Sequence, residues 1–520
     1  MALLRSASTV AAMTMISRVL GFVRDMLMAS VIGTGLVTDA FVVAFRFPNL
    51  FRRLFAEGAF NAAFVPLFAR QLEGEGLPEA TRFAEQVLAV LLGFLISLSA
   101  LAMLAMPLII YILAPGFIDN PEKLDLTVQL TRIAFPYLTF MSLVALVGGI
   151  LNSLNRFTAA AAAPIILNIV LIGVLGFVLL SGWGAVPRTG YALVWGVSAA
   201  GLLQLLMLWT AMTRAGVSLK LKRPAITPGI RRLVSLGVPG LIAGGITQIN
   251  LLVSTMVASL QDSAPSWLYY ADRIYQLPLG VIGIAIGVVL LPELARRLRA
   301  DDTRGVQSSQ NRALEISLLL TVPSAVALMA MPHPIIHVLF ERGAFSPEDA
   351  RATSVALTAF AAGLPAFVMI KVFSPAYFAR EDTRTPMWFA LISVVVNIAG
   401  ALALFPFFAY VGVAVATTAA GWINAILLGY TLSTRGDFTL DDRMRHALPR
   451  IIAASLIMGF ALLGLMQFAG QLFSVQTLFV LRLSTLAGMV SFGAAIYFAV
   501  VWWTGAVDLS ALKQSFSRRR

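Results

Sequence analysis

The chain has 520 residues, 59% of them hydrophobic and only 12% charged, with a mean hydropathy of +0.87. A soluble domain carries about a quarter charged residues, so the composition excludes one and implies a polytopic membrane protein. Its long runs rich in Leu, Ala, Val and Gly are helices rather than barrel strands. The absence of cysteine excludes disulfides, thiolate metal sites and cysteine nucleophiles. The formal charge of +13 is spread over short loops, as membrane orientation requires, and not gathered into a stripe for nucleic acid.

Apolar stretches between polar or Gly/Pro-marked turns predict about fourteen spans. They fall near 6–32, 38–70, 83–113, 127–153, 159–181, 190–214, 228–260, 265–297, 308–339, 349–378, 385–407, 409–433, 447–468 and 475–503. The first reads as an uncleaved helix and not a signal peptide, because Arg18, Arg24 and Asp25 interrupt its apolar run. The loop from Arg214 to Arg232 carries Lys220, Lys222, Arg223 and Arg231 and no acid, which places it in the cytoplasm. Counting outward, the other basic loops share that side, the loops with Asp39, Asp119, Asp262 and Glu348 take the other, and both termini are cytoplasmic.

The chain also matches itself at an offset of roughly 220–230 residues, the scale of two transporter halves. Phe64-Val65-Pro66-Leu67-Phe68-Ala69-Arg70 lies over Leu290-Leu291-Pro292-Glu293-Leu294-Ala295-Arg296, and Leu167-Asn168-Ile169 over Val396-Asn397-Ile398. The expectation is an N-lobe over 1–215 and a C-lobe over 228–435, related by a pseudo-two-fold along the membrane normal and facing across a central cavity. Two further helices over 447–503 fall outside the repeat.

Within the first two spans lie Arg18, Arg24, Arg46, Arg52 and Arg53. An arginine at the centre of a membrane helix costs roughly 2.5–3.5 kcal/mol, so these must face protein or water. With Arg273 they outnumber the nearby acids Asp25, Asp39, Glu57 and Asp272. Arg53 and Glu57 have i,i+4 spacing and read as a structural pair. The surplus predicts a hydrated cationic chamber for an anionic cargo. Because guanidinium forks bind phosphate bidentately, a phosphate or pyrophosphate is favoured over a carboxylate. Arg46, Asn49 and Arg53 recur at helical spacing, with Pro48 bending the helix between them. No Walker A loop occurs, and no nucleophile stands with its base, so neither an ATP-driven pump nor an enzyme is indicated. His333 and His337 are flanked by Pro332 and Pro334 and read as a helix-terminating segment, not a metal site. Glu341-Arg342-Gly343-Ala344-Phe345 and Glu381-Asp382-Thr383-Arg384-Thr385 read as tight turns with local ion pairs.

Several motifs carry a resemblance: Ser17-Arg18-Val19-Leu20-Gly21-Phe22-Val23-Arg24-Asp25, Thr38-Asp39-Ala40-Phe41, Arg46-Phe47-Pro48-Asn49-Leu50-Phe51-Arg52-Arg53-Leu54, Glu57-Gly58-Ala59-Phe60 and Tyr269-Tyr270-Ala271-Asp272-Arg273. With the two turn motifs just quoted, they resemble the MurJ/MviN family of lipid II flippases along the whole chain. The resemblance implies the multidrug/oligosaccharidyl-lipid/polysaccharide exporter fold, with the last two helices forming a groove for the polyprenyl tail. It implies alternating access in the bacterial inner membrane, with lipid II, the undecaprenyl-pyrophosphate-linked disaccharide-pentapeptide, as cargo. The machinery of cell-wall synthesis is a further partner class. Arg18, Arg24, Arg52 and Arg273 would meet the pyrophosphate, Asp25 would hold an arginine in place, and Asp39 and Asp272 would belong to an outer gate. No cofactor is implied. The family's sodium site would fall on Asn397, Val413 and Thr417, but Ala401, one turn beyond Asn397, supplies no carboxylate. Two alternatives remain open: a flippase for another polyprenyl-pyrophosphate-linked oligosaccharide, and a non-transporting membrane scaffold for cell-wall synthesis.

Overall fold

The computed structural model describes residues 2–53, 60–473 and 477–505. In these residues the chain is all helical, in nineteen α-helices: α1 (Ala2–Ile32), α2 (Leu36–Arg52), α3 (Phe60–Glu75), α4 (Leu77–Leu104), α5 (Met106–Leu113), α6 (Pro121–Ala134), α7 (Pro136–Ser153), α8 (Thr158–Leu180), α9 (Pro187–Arg214), α10 (Pro228–Ser259), α11 (Ala264–Arg299), α12 (Thr303–Ala330), α13 (Pro332–Phe340), α14 (Pro347–Ala361), α15 (Leu364–Phe378), α16 (Arg384–Phe408), α17 (Tyr410–Thr434), α18 (Asp442–Ala469) and α19 (Phe479–Trp503).

Among the described residues, ten helical segments are long and apolar enough to cross a membrane: α4, α6–α7, α8, α9, α12, α14–α15, α16, α17, α18 and α19. Four further expected spans correspond to α1, α2 with α3, α10 and α11. Of these α1, α2 and α11 carry the arginines and aspartates already singled out, and in α10 the purely apolar stretch is the shorter Gln248–Ser259.

Several expected spans are interrupted where a proline intervenes. α6 gives way to α7 at Pro136, α12 to α13 at Pro332, α14 to α15 before Pro365, and α4 to α5 before Pro107. A proline lacks the N–H that the preceding turn needs, yet is well suited to the first turn of a new helix. Pro332 therefore ends one helix and opens another, which carries His333 and His337 on its first turns. Polar helix starts are capped by side chains. Asn120 caps α6 through Lys123 N at 3.1 Å, Asp441 caps α18 through Met444 N at 2.7 Å, and Ser346 with Asp349 forms a reciprocal capping box at α14.

The chain forms two compact units, the first running to Ser266 and including Arg342–Phe345, the second holding Trp267–Glu341 and the chain from Ser346. In the first, α1 packs on α8, α8 on α9 and α2 on α6, while α3 packs on α4, α7 and α10. One core there joins Val43, Leu95, Met106, Phe117 and Phe135. In the second, α16 packs on α17, α12 on α15 and α18, and α18 on α19. Ile282, Leu290, Val368, Val372 and Leu428 share its core. Large apolar side chains such as Leu104, Leu180, Phe407 and Trp503 point outward, as they do on a surface solvated by lipid.

Candidate functional site

The expected site residues fall into hydrogen-bonded groups, most of them in the first unit. On α1, the Arg24 guanidinium donates through Nε and Nη2 to Asp25 Oδ1 at 3.0 and 2.7 Å, and through Nη1 to Asn168 Oδ1 at 3.0 Å. Asn168, from α8, returns its amide to the Ser17 carbonyl at 2.8 Å. Asp25 and Asn168 are buried, and the Arg24 side chain is 12% exposed. Gly21 faces Asn168, and a Cβ there would sit 3.6 Å from its amide, in ordinary contact. Two side chains, one from each of two helices, thus fix the direction of one guanidinium. Asp25 is the carboxylate that pairs with Arg24. Arg18, nearly two turns earlier, is half-buried and has no hydrogen-bond or ion-pair partner among the described residues.

On α2, Arg46 donates to the Thr255 hydroxyl of α10, and Arg52 Nε donates to Asn49 Oδ1 at 2.8 Å. Pro48 is accommodated inside this helix. Arg53 follows the last residue of α2 as its C-cap, and Glu57 lies outside the described residues, so the expected Arg53–Glu57 pair does too.

Asp39, at the start of α2, is fully buried. Its carboxylate accepts from Lys123 Nζ at 2.7 Å, Ser263 N at 3.0 Å, Ser266 N at 3.1 Å and the Ser266 hydroxyl. Lys123, from α6, is 2% exposed and also reaches Asp262 at 3.0 Å, whose side chain is 87% exposed. Its ammonium lies 4.4 Å from the centre of the Phe117 ring. Nearby, Gly33 and Gly343 both adopt positive φ, at +59°. Ala344 N donates to Ser30 O at 2.8 Å. A side chain on Gly33 would strike the Ala344 carbonyl, and one on Gly343 the Ser30 carbonyl, so glycine is required twice at a single crossing.

In the second unit, Arg273 donates to the Tyr269 hydroxyl at 3.2 Å and stacks its guanidinium 4.6 Å over that ring. Asp272, its neighbour, accepts from Gln276. Asn397 and Ala401 are fully buried on α16, and the Thr417 hydroxyl donates to Val413 O within α17 at 2.9 Å. Among the described residues no group of three or more His, Asp or Glu side chains converges as a metal site. The Asp382 turn bonds at longer range than expected. Its carboxylate accepts from Thr385 N at 3.0 Å and from Arg435 at 2.8 Å, and those bonds hold its pKa down at about 2.

Three residues that matter escaped the sequence. Asn168 was visible only as the polar member of the repeat, Lys123 stands among ordinary charges of a polar stretch, and Ser266 carries no signal. Each acquires its role from a partner more than eighty residues away.

Residues 28–484 match the family described as lipid II flippase MurJ. A relative from Rhizobium meliloti (strain 1021), named probable lipid II flippase MurJ, is 49% identical over 519 residues, covering 100% of this chain and 97% of its own. A solved structure titled lipid II flippase MurJ, inward closed conformation, superposes with a TM-score of 0.77 at 26% identity, over 94% of this chain and 97% of that one. An inward-facing multidrug resistance transporter of the MATE family shares the fold, with a TM-score of 0.65 at 13% identity over 82% of this chain and 98% of its own.

Proposed function

The chain belongs to the lipid II flippase MurJ family, and from that premise we propose that it moves lipid-linked peptidoglycan precursor from the cytoplasmic to the outer leaflet of the bacterial inner membrane by alternating access. The observation that carries the reading at the level of residues is Arg24, a guanidinium aimed by Asp25 and Asn168 at membrane depth. Arg18, Arg24, Arg52 and Arg273 meet the pyrophosphate, with Arg46, Arg53 and Asn49 beside them. Lys123 already neutralises Asp39, which removes one of the four acids from the arginines' charge balance and strengthens the case for an anionic cargo. Asp39 and Asp272 belong to the outer gate. The fourteen-span arrangement, the lobes over 1–215 and 228–435, the tail groove over 447–503 and cytoplasmic termini complete the proposal. Burial of both Asn168 and Asn397 supports the repeat on which the lobes rest.

The test is reconstitution. Vesicles holding the full chain and a fluorescent undecaprenyl-pyrophosphate disaccharide-pentapeptide are expected to lose the inward-facing label with time, and the chain is expected to rescue cells depleted of their own flippase. Equal movement of an undecaprenyl-pyrophosphate carrying an unrelated oligosaccharide would replace this cargo with the alternative one. No movement of either would leave a scaffold.

A further inference from the structure

In the second unit the short helix α13 packs against the last helix, α19, and a histidine sits at their contact. His337 is buried, with a charged group at each ring nitrogen. Glu341, one turn on, places Oε2 2.8 Å from Nδ1, and Arg482 of α19 places Nη1 3.2 Å from Nε2. His333, one turn back and exposed, stacks on the same ring with centroids 5.9 Å apart. Among the described residues His337 is the only hydrogen-bond partner of the Arg482 side chain.

A guanidinium has donors and no acceptor, so Nε2 accepts from Arg482 and the ring proton sits on Nδ1, beside Glu341. His337 is neutral in this arrangement. We propose that His337 is a proton-binding site that controls the seat of α19. A proton taken from water at Nε2 fills the lone pair that Arg482 uses, sets two cations face to face and releases the start of α19 from α13. The imidazolium so formed keeps Glu341 as its counter-ion.

The surroundings suit the exchange. Histidine is the side chain whose ordinary charge change falls between about pH 5 and 8, and the exposed His333 sets a second imidazole against the buried one. Arg351 of α14 acts on His333. The last turns of α12, residues 319–330, and the turn over residues 470–473 contain no charged residue. The other end of the α18–α19 pair is tied differently. Arg443 pairs with the buried Glu315 at 3.1 Å, Asn311 of α12 accepts from Asp441 N at 3.2 Å and donates to Thr439 O at 2.8 Å, and Tyr497 donates to Leu319 O at 2.7 Å. None of these groups ordinarily titrates between about pH 5 and 8. The remaining histidine, His446, is exposed and contacts a carbonyl of its own helix. Falling pH therefore loosens the pair at one end and leaves it anchored at the other.

The inference is independent of the cargo and is tested on the full chain in lipid nanodiscs. Because the chain has no cysteine, spin labels are placed through Val480→Cys on α19 and Val355→Cys on α14, both exposed, and their separation is read by double electron-electron resonance. One population is expected at about pH 8, and a second, longer one at about pH 5 that disappears when the pH is restored. His337→Gln, whose amide oxygen offers Arg482 an acceptor at either pH, is expected to keep the short population throughout. Arg482→Ala is expected to show the longer population already at the higher pH. A wild-type distribution that is the same at both pH values, a change that does not reverse, a response that survives in His337→Gln, or a short population alone in a folded Arg482→Ala variant overturns the proposal. Should one variant not fold, the wild-type comparison and the other variant decide.

Discussion

Asp39 and Arg24 are both ionisable side chains withdrawn from solvent in the first unit, and they are treated in opposite ways. Asp39 is fully buried, its two oxygens filled by an ammonium, a hydroxyl and two backbone amides. A carboxylate so satisfied ties α2, α6 and the start of α11 together. Arg24 is anchored on one edge to a carboxylate and on another to an amide from α8, and keeps 12% exposure. Anchors that set direction without sealing the group off are what a recognition side chain needs, since preorganisation lowers the cost of meeting a ligand. Under the function proposed above, the saturated Asp39 is a joint and the aimed Arg24 a contact for cargo.

The sharpest way to break this comparison is to truncate each member. Arg24→Ala is expected to lower flipping in vesicles by about 30-fold or more, the cost of removing one partner from a desolvated charge contact, and to lower the melting temperature as well, because it strands the buried Asp25. Flipping at the wild-type rate would make Arg24 structural like Asp39. Lys123→Met is expected to cost about 3–5 kcal/mol of stability by stranding the buried Asp39, read as a lower midpoint in denaturant. Combining it with Asp39→Asn should restore most of the loss, and simple additivity would show that the pair is not coupled.

A smaller effect sharpens the picture of the crossing at Ser30. Gly343→Ala forces a side chain into a left-handed conformation and against a carbonyl, and about 1–2 kcal/mol is expected from the backbone alone, measurable as lost thermal stability. A neutral outcome would mean that the crossing relaxes freely. The smallest effect is at Asp382, in the loop between α15 and α16. Its pKa is depressed to about 2 by bonds from Thr385 and Arg435. The stabilisation is therefore complete above about pH 4, the ordinary carboxylate value, and is lost as pH falls through 2. Asp382→Asn should cost under about 1 kcal/mol at neutral pH, since Arg435 is half exposed. It should also flatten the stability profile between pH 4 and 2, and an unchanged acid limb would remove Asp382 from the account.

Helix content and the arginines of α1 and α2 were legible because both are local signals: twenty apolar residues announce a helix, and a guanidinium within them announces a reason. The Arg24–Asp25 ion pair joins chain neighbours, so adjacency alone brings the two charges together. Lys123 was not legible, because one lysine beside Glu122 and Asp125 looks like a solvated surface until α6 is packed on α2. Asn168 was quoted for its place in the repeat while its bond to Arg24 spans 144 residues, and no periodicity encodes a partner that distant. The Asp382 turn was expected to pair locally, and the fold supplied Arg435 instead.

The interruptions at Pro107, Pro136, Pro332 and Pro365 turn four long rods into jointed ones. In each, the carbonyl four residues before the proline has already forgone its amide, so the junction is held by fewer backbone bonds than an unbroken helix. A machine that must reshape itself inside oil, where every broken bond goes unreplaced by water, gains its freedom by having those breaks written into the chain before any movement begins.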